Sequence, residues 1–319
     1  MIDKKYILGI DTSNYKTSMA VASGDEIICD LRKLLKVKEG ERGLRQSEAL
    51  FQHVNNLPEM FRTLRKEYDG DIHAVAYSSK PRPVEGSYMP CFLAGQSQAQ
   101  AIASMLDVPA IELTHQEGHI EAVRKFSGID PGNEFLACHF SGGTCEVLKA
   151  FAGDKHYAIE IVGGTKDISF GQVLDRAGVA MGMEFPCGQE LDNIALNAEG
   201  QTKNLTPVKV SDGEINLSGF ETQIQRKLEE TDYEINGDFI REIFLKISDS
   251  ITKMLIQSCE KTRIQEVIMS GGVSSSTFIR NAVKDKLTSQ GVHVYFDDKN
   301  LSSDNAVGIA FLGSRYLWD

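Results

Sequence analysis

The chain has 319 residues, enough for about two domains at roughly 100–200 residues each. Its 41% hydrophobic and 25% charged residues are those of a globular protein and exclude a disordered chain. With 45 acids against 34 bases the formal charge is −11, so a purely electrostatic nucleic-acid binder is excluded and any RNA contact needs a local basic patch or a partner. No apolar run approaches the roughly 18 residues that span a bilayer, and the first residues lack the regions of a signal peptide.

The first predicted strand, Tyr6 to Ile10, stops at Asp11, Thr12 and Ser13, and Thr17 to Ala22 returns as its hairpin partner. Apolar residues at three- and four-residue spacing predict a helix over Ser47 to Arg65, with Pro58 as a possible break. A buried, small-residue helix follows over Leu93 to Met105. In mid-chain Phe135 to Phe140 runs into Ser141, Gly142, Gly143 and Thr144, and Glu146 to Ala150 returns. Two such strand–turn–strand units argue for a duplicated architecture. Residues 196–236 read as a loop or small hairpin. The stripe Ile240, Ile243, Phe244, Ile247, Ile251, Met254 and Leu255 then predicts a helix with Asp238 at its start. Strand Glu266 to Ser270, turn Gly271–Ser274, a helix, strand Val292 to Phe296 and a last helix from Asp304 complete an α/β alternation. The expected domains are 1–130 and 131–319, with the last helix free to pack back on the first.

The six cysteines are scattered, form no C-x-x-C pair and read as buried thiols in a reducing cytoplasm. Three turns follow strands: Asp11-Thr12-Ser13, Ser141-Gly142-Gly143-Thr144 and Ser270-Gly271-Gly272-Val273-Ser274. Glycine there lets backbone N–H groups close on an anion, although it also serves simply to turn a corner. Neither G-x-G-x-x-G nor a P-loop is present.

In Thr114-His115-Gln116-Glu117-Gly118-His119 the two histidines stand four apart, so on a helix both imidazoles reach one ion. Helices without any ion carry the same spacing. Glu117, two residues from each, is misplaced as a water-activating base. Asp304, in Ser303-Asp304-Asn305, is the candidate oxygen ligand. Asp175 and Asp192, beside the turn Phe185-Pro186-Cys187-Gly188, suit a sugar hydroxyl or an amino group, although acids next to bases are commonly plain surface charge. From Arg32 to Lys66 nine bases (Arg32, Lys33, Lys36, Lys38, Arg42, Arg45, Arg62, Arg65, Lys66) face four acids (Glu39, Glu41, Glu48, Glu59), an RNA face or a solvated helix.

At these residues the chain resembles, as a divergent paralogue, the TsaD/Gcp/Kae family of tRNA threonylcarbamoyladenosine synthases, once labelled O-sialoglycoprotein endopeptidases. The resemblance runs from Leu8-Gly9-Ile10-Asp11-Thr12-Ser13 to Asp304-Asn305-Ala306 and implies the two-lobed α/β fold of actin, Hsp70 and sugar kinases. It further implies that His115, His119 and Asp304 hold one iron or zinc ion in the cleft of that fold. Ser141, Gly142 and Gly143 would line the acyl-phosphate region. Asp175, Gly188, Asp192, Gly271, Gly272 and Ser276 would hold the nucleotide, either ATP or threonylcarbamoyl-AMP. The implied reaction passes the threonylcarbamoyl group to adenosine 37 of tRNA in the cytoplasm, beside a TsaB-like paralogue or a second copy.

The departures cluster at the reacting end. Where the family has Cys-Asp-Glu, Asn14, Tyr15 and Lys16 follow Ser13. The family's Ser-Gly-Gly-His-Thr becomes Ser141-Gly142-Gly143-Thr144-Cys145, the expected asparagine is Ser276, and the glycine-rich loop is the proline-stiffened Lys80–Pro90. Asp11, Lys16 and Arg82 are the candidates for catalysis there, Arg82 as a clamp for phosphate or carboxylate. Two further readings follow. One is a catalytically impaired scaffold or regulator of a true synthase. The other is a carbamoyltransferase or kinase acting on a small molecule.

Overall fold

The computed structural model describes residues 4–13, 15–37, 44–130, 132–153, 156–296, 301 and 304–318. Asn14, Lys38, Glu39, Glu41, Arg42 and Ser303, named above, lie outside them. The chain forms two compact units, one of residues 1–128, 152–157 and 303–319, the other of 129–151 and 158–302.

The first unit is built on a five-stranded sheet of order β3-β2-β1-β4-β5. Strands β1 (Ile7–Thr12), β2 (Lys16–Ser23) and β3 (Glu26–Leu34) form an antiparallel meander, while β4 (Ala74–Lys80) and β5 (Ala110–Thr114) continue the sheet in parallel with β1. The sequence reading found the first hairpin but not β3, β4 or β5. Around the sheet stand α1 (Gln46–Glu67), α2 (Phe92–Leu106), α3 (His115–Ser127) and the C-terminal helix (Val307–Trp318). Helix α1 runs unbroken through Pro58.

Side chains alternate across β1. Ile10 faces α2, where a Cβ on Gly95 would come within 3.1 Å of it. Gly9 faces the opposite way, against Ala306 and Ala310 at the C-terminal helix. Asp11, two residues on from Gly9, therefore projects on the side of that helix. Leu8, Ile10, Met19, Val21, Leu57, Met60, Val75, Tyr77 and Ala99 pack the core between the sheet and α1 and α2.

The second unit carries a seven-stranded sheet of order β12-β11-β6-β7-β8-β10-β9. Its strands are β6 (Phe135–Phe140), β7 (Cys145–Ala152), β8 (Tyr157–Thr165), the short β9 (Val210–Ser211) and β10 (Glu214–Ile215), β11 (Glu266–Ser270) and β12 (His293–Phe296). The order β8-β7-β6-β11-β12 repeats β3-β2-β1-β4-β5, meander first and parallel strands after, with β9 and β10 added at the β8 edge. The helices are α4 (Phe170–Ala180), α5 (Gly188–Asn197), α6 (Ser218–Glu230), α7 (Gly237–Thr262) and α8 (Thr277–Thr288); the C-terminal helix is α9. The fully buried Phe140, Phe170, Leu191, Phe244, Ile247 and Ile251 lie in its core.

Two sequence expectations change here. Residues 196–236 are not simply loop and hairpin, because Phe220, Ile224 and Leu228 bury one face of the helix α6. Helix α7 is capped by Asn236, whose side chain accepts from Phe239 N, whereas Asp238 instead accepts from Gly200 N. All six cysteines are free and buried. Among the described residues no helix is long and apolar enough to cross a membrane.

Candidate metal centre and nucleotide-binding turns

In the first unit, Thr114 ends β5 and caps α3: its side chain accepts from Glu117 N while Glu117 reaches back to Thr114 N, a capping box. The remaining oxygen of Glu117 accepts from Tyr157 N at 3.0 Å and lies 3.1 Å from His156 Nδ1. This buried carboxylate is thus spent on fixing the start of α3, not on a reacting water. One turn along, His115 and His119 share a face and their Nε2 atoms stand 3.0 Å apart. Asp304 Oδ1 lies 3.5 Å from each of them. Ligand atoms of the three residues all fall within 4.8 Å of one another.

Behind His115 is Asp11, wholly buried, whose Oδ1 accepts from His115 Nδ1 at 3.0 Å and from Ser78 Oγ at 2.5 Å. Burial alone would raise the carboxyl of Asp11, but the charge and hydrogen bond of His115 and the Ser78 hydroxyl hold it below the usual range. Burial also works against charge on His115, yet Asp11 and Asp304 together push it up to about 10. His119 is moved down, by burial and by the charge of His115. Two nitrogens and one carboxylate oxygen converging in this way, with an outer carboxylate orienting one imidazole, are the donor set that zinc or ferrous iron takes.

Asp304 reaches this place because α9 crosses α3 with no side chain between. A Cβ on Gly308 would lie 1.8 Å from Gly118 O, and one on Gly118 would press on Ile309. Asn305 accepts from Val307 N at the start of α9, so Asp304 sits just before the helix and not in it. Lys16, the first residue of β2, is half-buried; burial lowers its pKa while Asp304 opposes that shift. Arg82 is exposed, and its backbone N–H donates to Ser87 Oγ. In the basic stretch, Arg32 pairs with Asp30 and Lys33 with Glu59.

In the second unit β6 and β11 run parallel as neighbours, which sets the turns that follow them side by side. Gly271, at φ +95°, packs so close that a Cβ would meet Phe140 O at 2.5 Å, and only glycine fits there. Ser141 Oγ accepts from Gly143 N and Thr144 N, so the turn's own hydroxyl occupies the donors that an anion would use. Helix α4 starts against this turn: Ser169 Oγ donates to Gly142 O, and Gly171 touches Ser141 and Gly142.

Six residues on from Ser169, Asp175 accepts from Cys187 N at 2.9 Å, and burial raises its carboxyl pKa against that bond. Cys187 immediately precedes α5, which carries Gly188 and Asp192. Asp192 takes Ser276 Oγ and Phe278 N on one oxygen and Thr277 N on the other, joining α5 to the start of α8. Ser141, Gly142, Gly271 and Gly272 thus lie in the turns after the parallel neighbours β6 and β11, while Asp175 within α4 and Asp192 within α5 tie those helices to Cys187, just before Gly188, and to Ser276 at the start of α8. The sequence reading overlooked Ser78, whose only signal is its position on the strand beside β1.

Two sheets of one repeated order, each leading from its strands into glycine and hydroxyl turns, define the actin, Hsp70 and sugar-kinase class of α/β protein. Full-length HypF in its phosphate- and nucleotide-bound form matches 98% of this chain at TM-score 0.62 and 15% identity, and the chain spans 46% of HypF. The ROK family glucokinase of Streptomyces griseus with glucose and AMPPNP matches 96% at TM-score 0.54 and 10% identity, over 98% of the kinase. Within that class, the TsaD family, tRNA N6-adenosine threonylcarbamoyltransferase, matches residues 35–311, and the chain belongs to it. Relatives named tRNA N6-adenosine threonylcarbamoyltransferase include those of Christiangramia forsetii, 28% identical over 99% of the chain and 95% of the relative, and Methanococcoides burtonii, 26% identical over 96% and 88%.

Proposed function

We propose that this chain is a metal-dependent transferase that passes the threonylcarbamoyl group of threonylcarbamoyl-AMP to adenosine 37 of tRNA. The observation that carries the reading is the convergence of His115, His119 and Asp304 in a chain of this family. Those three would hold one divalent ion, iron or zinc, which when bound polarises a carbonyl or phosphoryl oxygen. Asp11 orients His115 from behind, so it positions a ligand and does not touch the reacting atoms. Lys16 supplies a positive charge near Asp304 where the resemblance places carboxylates, which suits it to an anionic acyl-adenylate. Arg82 is assigned to clamp a phosphate or carboxylate.

To the second unit we assign the nucleotide. Release of Gly143 N and Thr144 N by the Ser141 hydroxyl would free two donors for phosphate, and Asp175 and the remaining lone pair of Asp192 can accept ribose hydroxyl protons. tRNA is the acceptor, and a TsaB-like paralogue or a second copy is the assigned partner. The test incubates the purified chain with threonylcarbamoyl-AMP, unmodified tRNA and the candidate partner, and measures modified adenosine by mass spectrometry. Modification that is lost in His115→Ala supports the reading. A chain that binds nucleotide and a true synthase, yet leaves tRNA unmodified and loses nothing in His115→Ala, would be a scaffold instead.

A further inference from the structure

Helix α1 contributes one side chain that ends on the β1–β2 hairpin with both of its ring nitrogens. His53 is fully buried, with Nε2 2.7 Å from Ser13 O and Nδ1 2.8 Å from Thr17 Oγ1. A carbonyl oxygen only accepts, so Nε2 carries the proton and Nδ1 accepts from the threonine hydroxyl. Thr17 Oγ1 in turn accepts from Asn56 Nδ2, three residues along the same face of α1, at 3.1 Å. Burial lowers the pKa of His53, consistent with this neutral ring.

The chain of bonds continues beyond Ser13. Its N–H points to Asp11 Oδ2 at 3.4 Å, and the other oxygen of Asp11 accepts from His115 Nδ1. Thr12 and Thr17 are the last register pair of the hairpin, so His53 grips the tip from both strands. We propose that His53 is a positioning residue for the candidate metal centre: through Ser13 it sets Asp11, and through Asp11 it sets the imidazole of His115. The inference rests on the metal reading above only for its consequence, because the bonded path lies in the chain itself.

The test compares His53→Ala, His53→Gln, Thr17→Val and, as a control on the same helix, Leu64→Ala. Glutamine can both donate to Ser13 O and accept from Thr17, so it can restore the path. In metal-free protein the first readout is the Nδ1–H proton resonance of His115, its shift and its exchange with water. The second is cobalt(II) affinity and visible absorption. The expected result is a moved, faster-exchanging proton and about tenfold weaker cobalt binding in His53→Ala, the scale at which an outer partner matters. Thr17→Val should move both in the same direction, and His53→Gln should return them towards wild type. Leu64→Ala should lower the melting temperature and leave both untouched.

Identical proton exchange in His53→Ala and wild type, or equal changes in Leu64→Ala, would overturn the proposal. Should wild type bind no cobalt, the metal reading falls, and the proton resonance alone still decides the bonded path.

Discussion

Gly308 meets Gly118 so closely that a β-carbon at position 308 would stand 1.8 Å from the Gly118 carbonyl oxygen. That approach brings the residues just before α9 to the histidine face of α3. Replacing Gly308 by alanine must separate the two helices, since the obstacle is backbone and cannot rotate away. We expect Gly308→Ala to cost about 3 kcal/mol or more, the upper end for overpacking, and Gly118→Ala to cost less because it presses on the Ile309 side chain. Urea denaturation of the two variants checks the order.

Asp11 acts on His115 and not on the ion, so its amide should weaken binding without abolishing it. Asp11→Asn is expected to lower cobalt or zinc affinity about 10–100-fold, whereas His119→Ala and Asp304→Ala remove ligands and should leave no site of comparable strength. Isothermal titration with the metal alone separates these outcomes.

Asp192 receives three donors and ties α5 to the start of α8. Asp192→Asn leaves at least one of them without an acceptor, with an expected loss of about 1–3 kcal/mol. If it also weakens ATP binding more than a comparably destabilised variant such as Ile279→Val, the nucleotide assignment gains support. Equal ATP affinities in those two variants would count against a ribose contact.

Acid should loosen the second unit at a known point. Asp167 is opposed by burial, but the backbone N–H groups of Leu217, Ser218 and Ile168 outweigh it and hold its pKa well below the usual carboxylate range. A carboxyl depressed in the folded state adds stability above its unfolded pKa of about 4, and loses it as the pH falls through the lower folded value. Asp167→Asn should therefore narrow the stability difference between pH 6 and pH 3. Melting curves across that range give the slope; an unchanged slope refutes the assignment.

Glu242 fixes the segment after α5 from a distance. It accepts from Thr202 Oγ1, Asn204 N and Leu205 N. Glu242→Gln is expected to cost about 1–3 kcal/mol and to speed amide exchange at 204 and 205 first, which hydrogen exchange resolves.

Much of this was legible in the order of residues, and the misses have physical causes. His115 and His119 could be read as one face because helix spacing is local. The hairpin at Asp11 and strand Glu266–Ser270 showed through their β-branched runs. Helix α6 did not, since only Phe220, Ile224 and Leu228 mark its buried face among polar neighbours. Asp238 looked like the cap of α7 by residue type, but it lies inside the first turn; Asn236, just before the helix, is the cap, and Asp238 is taken by the N–H of Gly200, 38 positions away.

By itself the sequence determined an α/β chain of two repeated parts, the paired imidazoles and the glycine turns, because periodicity, turn chemistry and helix spacing act over a few residues. Only the tertiary structure decided that Asp11 stands behind His115, that the second oxygen of Glu117 anchors Tyr157 N, and that His53 reaches Ser13. Each of those contacts joins residues on different elements, and the distances between them are set by sheet register and by how closely bare glycine backbones can approach.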